Sequence, residues 1–386
     1  MAKKKKVGIR IPTQSEILKR YGTSLKLSAS QEEDLGLWIP STFYALNNLM
    51  GGGCPWGRII EIMGMESSGK TLGALNFAYA TQQLGGHVIW VDAEQAWTNE
   101  WAIKNGLDPD RVTLINDTQV EVISDALADL AIYYRSQLTN NEPILVVLDS
   151  IAALDCAENI NSKMIDSKAD MGNRAKALYK MFRIRNELFY KLGITQIYIN
   201  QLRKKLNSGF GQDDNTTPGG QALQFYASIR LAFFGGKTLT IKHKGKERKV
   251  GRYVTIRVIK NKVAPPKATI SKAPMYFSDT YHEIGFDRFF AFEDVLVENN
   301  VLTKSSSGTY MLGEEKLCRG EEKFIKLLEE DSDLRKKLLK AADINTIGTC
   351  KKKLKGLSEN YFPVDGDLEY ESQMDDDSEE EEDYEG

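Results

Sequence analysis

The octapeptide Gly64-Met65-Glu66-Ser67-Ser68-Gly69-Lys70-Thr71 constrains this chain more than any other stretch of it. It matches the pattern G-x-x-x-x-G-K-[ST]. The apolar run at 58–63 before it reads as a buried strand, and residues 71–84 after it read as a helix closed by Gly85-Gly86. A strand that turns into a helix through such a loop points its backbone N–H groups inward around phosphate oxygens. Lys70 then reaches the outer phosphates and Thr71 offers a hydroxyl to Mg²⁺. The expectation is a nucleoside triphosphate bound with Mg²⁺.

The surrounding pattern agrees with a fold that can carry this loop. Short apolar runs at 87–91, 144–148 and 196–200 alternate with helical patterns at 120–137 and 171–192, which predicts βαβ units and a mostly parallel sheet. Residues 226–234, 238–242 and 252–260 are β-rich with no helix between them, so an antiparallel extension of the sheet is expected. Pro265-Pro266 and Pro274 interrupt that pattern, and 289–357 reads as a smaller, mainly helical, basic unit. The expected organisation is an N-terminal arm (1–37), an α/β core with a central twisted sheet (38–282), a small basic C-terminal α+β domain (283–360) and an acidic tail (361–386).

Charge is divided unevenly. The chain carries −3 overall, but thirteen Asp or Glu and no Lys or Arg follow Val364, leaving residues 1–363 at +10. Such a tail repels itself and has too little apolar surface to order, so it is expected to be disordered, and it could compete with an external polyanion for the basic body. The three histidines and four cysteines are scattered, with no closely spaced ligand pair, which argues against zinc or a disulfide scaffold. With no apolar run of membrane length, a cytoplasmic protein without a membrane partner is expected.

A triphosphate enzyme of this kind needs a second acid on the metal and a group that aligns the attacking water. Asp149, at the end of the strand 144–148, is placed to be the first. Glu94, just past the strand 87–91, is placed on the same sheet edge to polarise the water.

Read in order, Gly57 to Ile62 with the loop, then Asp92-Ala93-Glu94, Leu148-Asp149-Ser150-Ile151-Ala152-Ala153-Leu154, Ile199-Asn200-Gln201-Leu202-Arg203, Gly219-Gly220-Gln221-Ala222-Leu223 and Lys260-Asn261-Lys262 closely resemble the bacterial-type RecA recombinases. The resemblance spans about 38–266 and, more weakly, the C-terminal unit. It implies a RecA-like P-loop ATPase of the cytoplasm, bacterial or that of a virus-infected host. Such a protein polymerises into a helical filament on single-stranded DNA and pairs that strand with homologous double-stranded DNA, with single-strand-binding and loader proteins as further partners.

The same resemblance assigns roles. Glu94, Lys70 and Gln201 would be catalytic, Gln201 as a γ-phosphate sensor. Gly64, Glu66, Ser67, Ser68, Gly69, Lys70 and Thr71 would hold the nucleotide, Trp101 would stack on adenine, and Lys260 and Lys262, two apart on one strand, would reach the nucleotide of a neighbouring protomer. Thr71 and Asp149 would be the metal ligands. DNA would lie against Met171, Gly172, Lys176 and Arg183 from a first loop and its helix, and against Arg203, Lys205, Leu206, Phe210, Gly219 and Gly220 from a second. The usual His after the catalytic Glu is Gln95 here, and Pro218 precedes Gly219 where the family has another residue. A ring-shaped motor or a nucleotide-binding strand-coating protein would use the same core. Duplex capture would fall to the basic clusters Arg335-Lys336-Lys337 and Lys351-Lys352-Lys353.

Overall fold

The computed structural model describes Lys19 and residues 36–138, 141–161, 170–204, 215–216, 221–243, 245–265, 269–279 and 282–356. The chain divides into two units after Gly36, and everything that follows concerns the second, Leu37–Gly386. The expected arm and the acidic tail lie outside the described residues.

The strands in chain order are β1 (Trp38–Ile39), β2 (Cys54–Pro55), β3 (Ile59–Gly64), β4 (His87–Asp92), β5 (Val112–Ile115), β6 (Ile144–Asp149), β7 (Ile194–Gln201), β8 (Arg203–Lys204), β9 (Asn215–Thr216), β10 (Ile229–His243), β11 (Lys246–Asn261), β12 (Ile270–Tyr276), β13 (Gly285–Phe286), β14 (Thr303–Lys304), β15 (Thr309–Leu312) and β16 (Glu315–Arg319). Nine of them form one sheet in the order β13-β12-β11-β10-β3-β7-β6-β4-β5. From β10 through β3 to β5 every neighbouring pair is parallel, whereas β10 to β13 pair antiparallel. Strands β3 and β6 are buried along their whole length and β7 at all but its last residue, as sheets covered on both faces require. The helices Val120–Gln137 and Asp170–Lys191 cover one face through a core that includes Ile123, Leu127, Val146, Leu148, Leu178 and Phe182.

Four departures from the sequence-based expectation have physical reasons. Strand β5 was not anticipated, because it is four residues long and only partly buried at the sheet edge. Residue 226 ends a short helix, Ala222–Tyr226, instead of opening a strand. The runs at 226–234 and 238–242 are one strand, since the ladder with β11 crosses Gly235-Gly236 through a register shift between Gly235 and Thr238. The C-terminal region is less helical than 289–357 suggested: the antiparallel sheet β14-β15-β16 precedes its last three helices. Among those helices, Ser332–Ala341 begins at Asp331, whose carboxylate accepts from two backbone N–H groups, and Ile347–Lys355 begins at a Thr346–Thr349 capping box.

Candidate nucleotide site at the carboxyl edge of the sheet

β3 delivers Gly64 to the carboxyl edge of the sheet, and the chain turns through Ser67 (φ 55°) and Gly69 (φ 90°) into the helix Lys70–Gln83. Space demands the glycines. A Cβ on Gly64 would lie 2.4 Å from Ser68 Oγ and 2.5 Å from the Phe233 carbonyl oxygen, and one on Gly69 would lie 2.4 Å from Met275 Sδ. The N-cap residue Gly69 has no side chain to accept from the first N–H groups of the helix, which are left open to an anion. Ser68 Oγ is buried inside the loop without a hydrogen-bond partner. Lys70 folds back so that Nζ donates to the Met65 carbonyl oxygen at 2.8 Å. Burial lowers the pKa of this ammonium, against the opposing pull of Asp149, Glu94 and Glu66.

Asp149 lies at the carboxyl end of its strand, as its place after the apolar run predicts. Asp149 ends β6 in register with Asp92 at the end of β4, and Thr71 Oγ1 donates to Asp149 Oδ2 at 2.7 Å. Burial raises the Asp149 carboxyl to about 6, with the Thr71 hydrogen bond and Lys70 opposing the rise and Glu94 and Asp92 adding to it. A hydroxyl and a carboxylate in contact at an open edge suit a hard cation such as Mg²⁺, which keeps water and phosphate oxygens as its other ligands. Among the described residues no three His, Cys, Asp or Glu side chains cluster to hold a metal by themselves.

Glu94 is positioned by its own turn. Asp92 accepts hydrogen bonds from the backbone N–H groups of Ala96 at 3.0 Å and Trp97 at 2.8 Å, Gln95 takes the left-handed φ of 54°, and Ala93 N–H donates to the Asp149 carbonyl at 2.9 Å. Glu94 is thereby held exposed beside the acid, its Oε1 accepting from Ser150 Oγ and, at 3.3 Å, from Gln201 Nε2. Gln201 ends β7 in register with Gly64, so the loop and the amide are neighbours across the sheet. Ser150, which follows Asp149 directly, carries no signal in the sequence that it partners Glu94.

Trp101 sits in the short helix Asn99–Lys104, whose N-cap Thr98 accepts from the Trp101 N–H. With Ser67 to Leu72 on one wall and Met275 and Phe277 on another, Trp101 lines a cavity of 490 Å³, enough for a nucleotide base and sugar. Glu66 is exposed on the same loop.

Lys260 and Lys262 lie elsewhere and line no part of this cavity. β11 ends at Asn261, so Lys262 is past the strand that was expected to carry both. The two still converge: Lys260 Nζ donates to the carbonyls of Gln224 at 2.6 Å and Phe225 at 3.1 Å, and Lys262 Nζ stands 5.9 Å from the Phe225 ring centre. Lys176 and Arg183 are both exposed on the helix Asp170–Lys191, and Gly172 is exposed in its first turn. For Met171 and Arg203 only the backbone is described, in that helix and in β8. Lys205, Leu206, Phe210, Gly219 and Gly220 lie outside the described residues.

Two sets of comparisons bear on this geometry. The family model of the RecA N-terminal domain matches residues 12–280. Protein RecA of Acholeplasma laidlawii (strain PG-8A) is 34% identical over 320 residues, covering 83% of this chain and 90% of that protein. Protein RecA of Desulfovibrio desulfuricans is 33% identical over 325 residues, with 83% and 85% covered, and Protein RecA of Saccharopolyspora erythraea is 34% identical over 323 residues, with 83% and 87% covered.

Proposed function

Because this chain belongs to the RecA family, we propose that it is an ATP-dependent recombinase that forms helical filaments on single-stranded DNA and carries out homologous pairing and strand exchange in recombination and repair. The single observation that carries the chemical part of this reading is the contact of Thr71 with Asp149, placed beside Glu94 at the mouth of the glycine loop.

In this reading the loop N–H groups and Lys70 hold the phosphates of ATP, and Lys70 leaves the Met65 carbonyl to do so. Thr71 and Asp149 hold Mg²⁺, which offsets phosphate charge when bound. Glu94 accepts a hydrogen bond from the attacking water and orients it, with Ser150 fixing the carboxylate. Gln201 exchanges its bond to Glu94 for one to the outer phosphate, and so passes the state of the nucleotide to the segment that follows β7. Trp101 stacks on the base.

Lys260 and Lys262 serve a neighbouring protomer. Their distance from their own cavity and their convergence on the exposed Phe225, 69% accessible, support a contact made between copies. Lys176 and Arg183 meet DNA phosphates, together with the first and second DNA segments. The basic unit at 283–360 takes the incoming duplex. The protein is cytoplasmic in this reading, and no helix among the described residues is long and apolar enough to cross a membrane. A strand-exchange assay with circular single strands and homologous linear duplex tests it: joint molecules that require ATP are expected, and their absence with ATP present would refute the assignment.

A further inference from the structure

The long hairpin of β10 and β11 reaches past the antiparallel half of the sheet, and its register is irregular where it passes the glycine loop. Leu239 pairs with Gly251 while Thr240 pairs with Lys249, so Val250 is an extra residue on β11. In a regular strand, side chains three apart face opposite ways. The inserted residue cancels that alternation, and Lys249 and Arg252 both line the 490 Å³ cavity that Ser67 to Leu72 and Trp101 line. Val250 turns instead into the core, where it is buried.

The surroundings hold Arg252 against the glycine loop. Arg252 Nη1 donates to the Ser67 carbonyl oxygen in the glycine loop. Gly235 lies across the ladder, where a Cβ would already be 3.1 Å from Arg252 Nη1, so a glycine leaves the guanidinium its place. Gly251 lets β11 and β12 close on each other, since a Cβ there would lie 2.2 Å from the Met275 carbonyl oxygen. Among the described residues no carboxylate forms an ion pair with Lys249 or Arg252. A guanidinium has five N–H donors, and one of them is used on Ser67.

We infer that Lys249 and Arg252 bind the phosphates of the nucleotide held by the glycine loop of the same subunit, Arg252 bridging from Ser67 to the ligand and Lys249 adding a second positive charge. The inference rests on the reading of this cavity as a nucleotide site. It gives the chain two phosphate ligands that need no neighbouring copy, in contrast to Lys260 and Lys262. A single subunit then holds a nucleotide before it assembles.

The test is displacement of a fluorescent ATP analogue from the full-length protein, with Mg²⁺ and without DNA, by ATP, ADP and adenosine. Arg252→Ala and Lys249→Ala are each expected to weaken ATP about tenfold, the loss of one charge-assisted contact, with a smaller loss as salt rises. Arg252→Lys should recover part of the loss, and the affinity for adenosine should stay unchanged in all three variants. ATP binding at wild-type strength in both alanine variants would overturn the inference. So would an equal loss for adenosine, which would make Arg252 a brace for the loop and no more. Lys70→Ala reports separately: if it binds ATP as tightly as the wild type, the nucleotide reading of the cavity itself fails.

Discussion

Arg230 and Glu61 are Cα partners across the parallel pair β10–β3, and their side chains meet at 2.5 Å with the Glu61 side chain wholly buried. Asn200 Nδ2, from the strand on the other side, donates to the second carboxylate oxygen at 3.0 Å. Glu61 stands three residues before Gly64 in the same strand, so this polar cluster pins the three strands directly beneath the glycine loop. A buried pair is costly to break from one side, because the remaining charge has no solvent to return to. Glu61→Leu and Arg230→Met should each lower stability by about 3–5 kcal/mol in urea unfolding, and the double variant should lose less than either. Additive losses would show that the two do not act as a pair.

Glu94→Gln keeps the size and the hydrogen bonds of the side chain but not its ability to accept a proton or to polarise water. Phosphate release in the presence of single-stranded DNA should fall by roughly a hundredfold or more, while nucleotide binding changes little. Turnover at the wild-type rate would remove Glu94 from the chemistry.

Glu293 makes a pH-dependent contribution away from the site. Its side chain opens the helix Phe292–Glu298 but is buried, with Oε2 unpartnered, and burial raises its carboxyl from 4.5 to about 7, with Glu321 and Asp294 adding to the rise and Lys304 opposing it. A carboxyl raised in the folded state favours folding below its unfolded value and loses that contribution as pH climbs from about 4.5 through 7. Glu293→Gln should therefore stabilise the protein by about 1–2 kcal/mol at pH 8 and leave it unchanged at pH 4, read from melting temperatures at the two values. Equal effects at both would show that the charge of Glu293 is not the cause.

How legible these features were in the sequence follows from how local their causes are. The loop from Gly64 to Thr71, the strand-end acids Asp149 and Glu94, and strands β3, β4, β6 and β7 could all be read, because burial on both faces demands apolar runs and the loop chemistry demands glycines. Strand β5 escaped since Val112–Ile115 is short and partly exposed. The continuity of β10 through Gly235-Gly236 escaped because glycine pairs usually end a strand, and only the register shift opposite them keeps this ladder together. Lys249 and Arg252 had no local signal at all: their facing depends on one inserted residue, Val250, and on which strand lies beside it. The roles proposed for Trp101, Lys260 and Lys262 come only through resemblance, since nothing in their neighbourhood distinguishes a packing Trp or a charged strand end from a ligand contact.

In the proposed function, nucleotide joins adjacent copies into a polymer on DNA. Sedimentation velocity of the full-length protein with Mg²⁺, saturating ATP and a single-stranded oligonucleotide tests it most directly, with the Lys260→Ala/Lys262→Ala variant alongside. Large assemblies are expected for the wild type and small species for the variant, which should still bind nucleotide through the loop and the hairpin of its own subunit. A wild-type protein that sediments as a monomer under these conditions would contradict it.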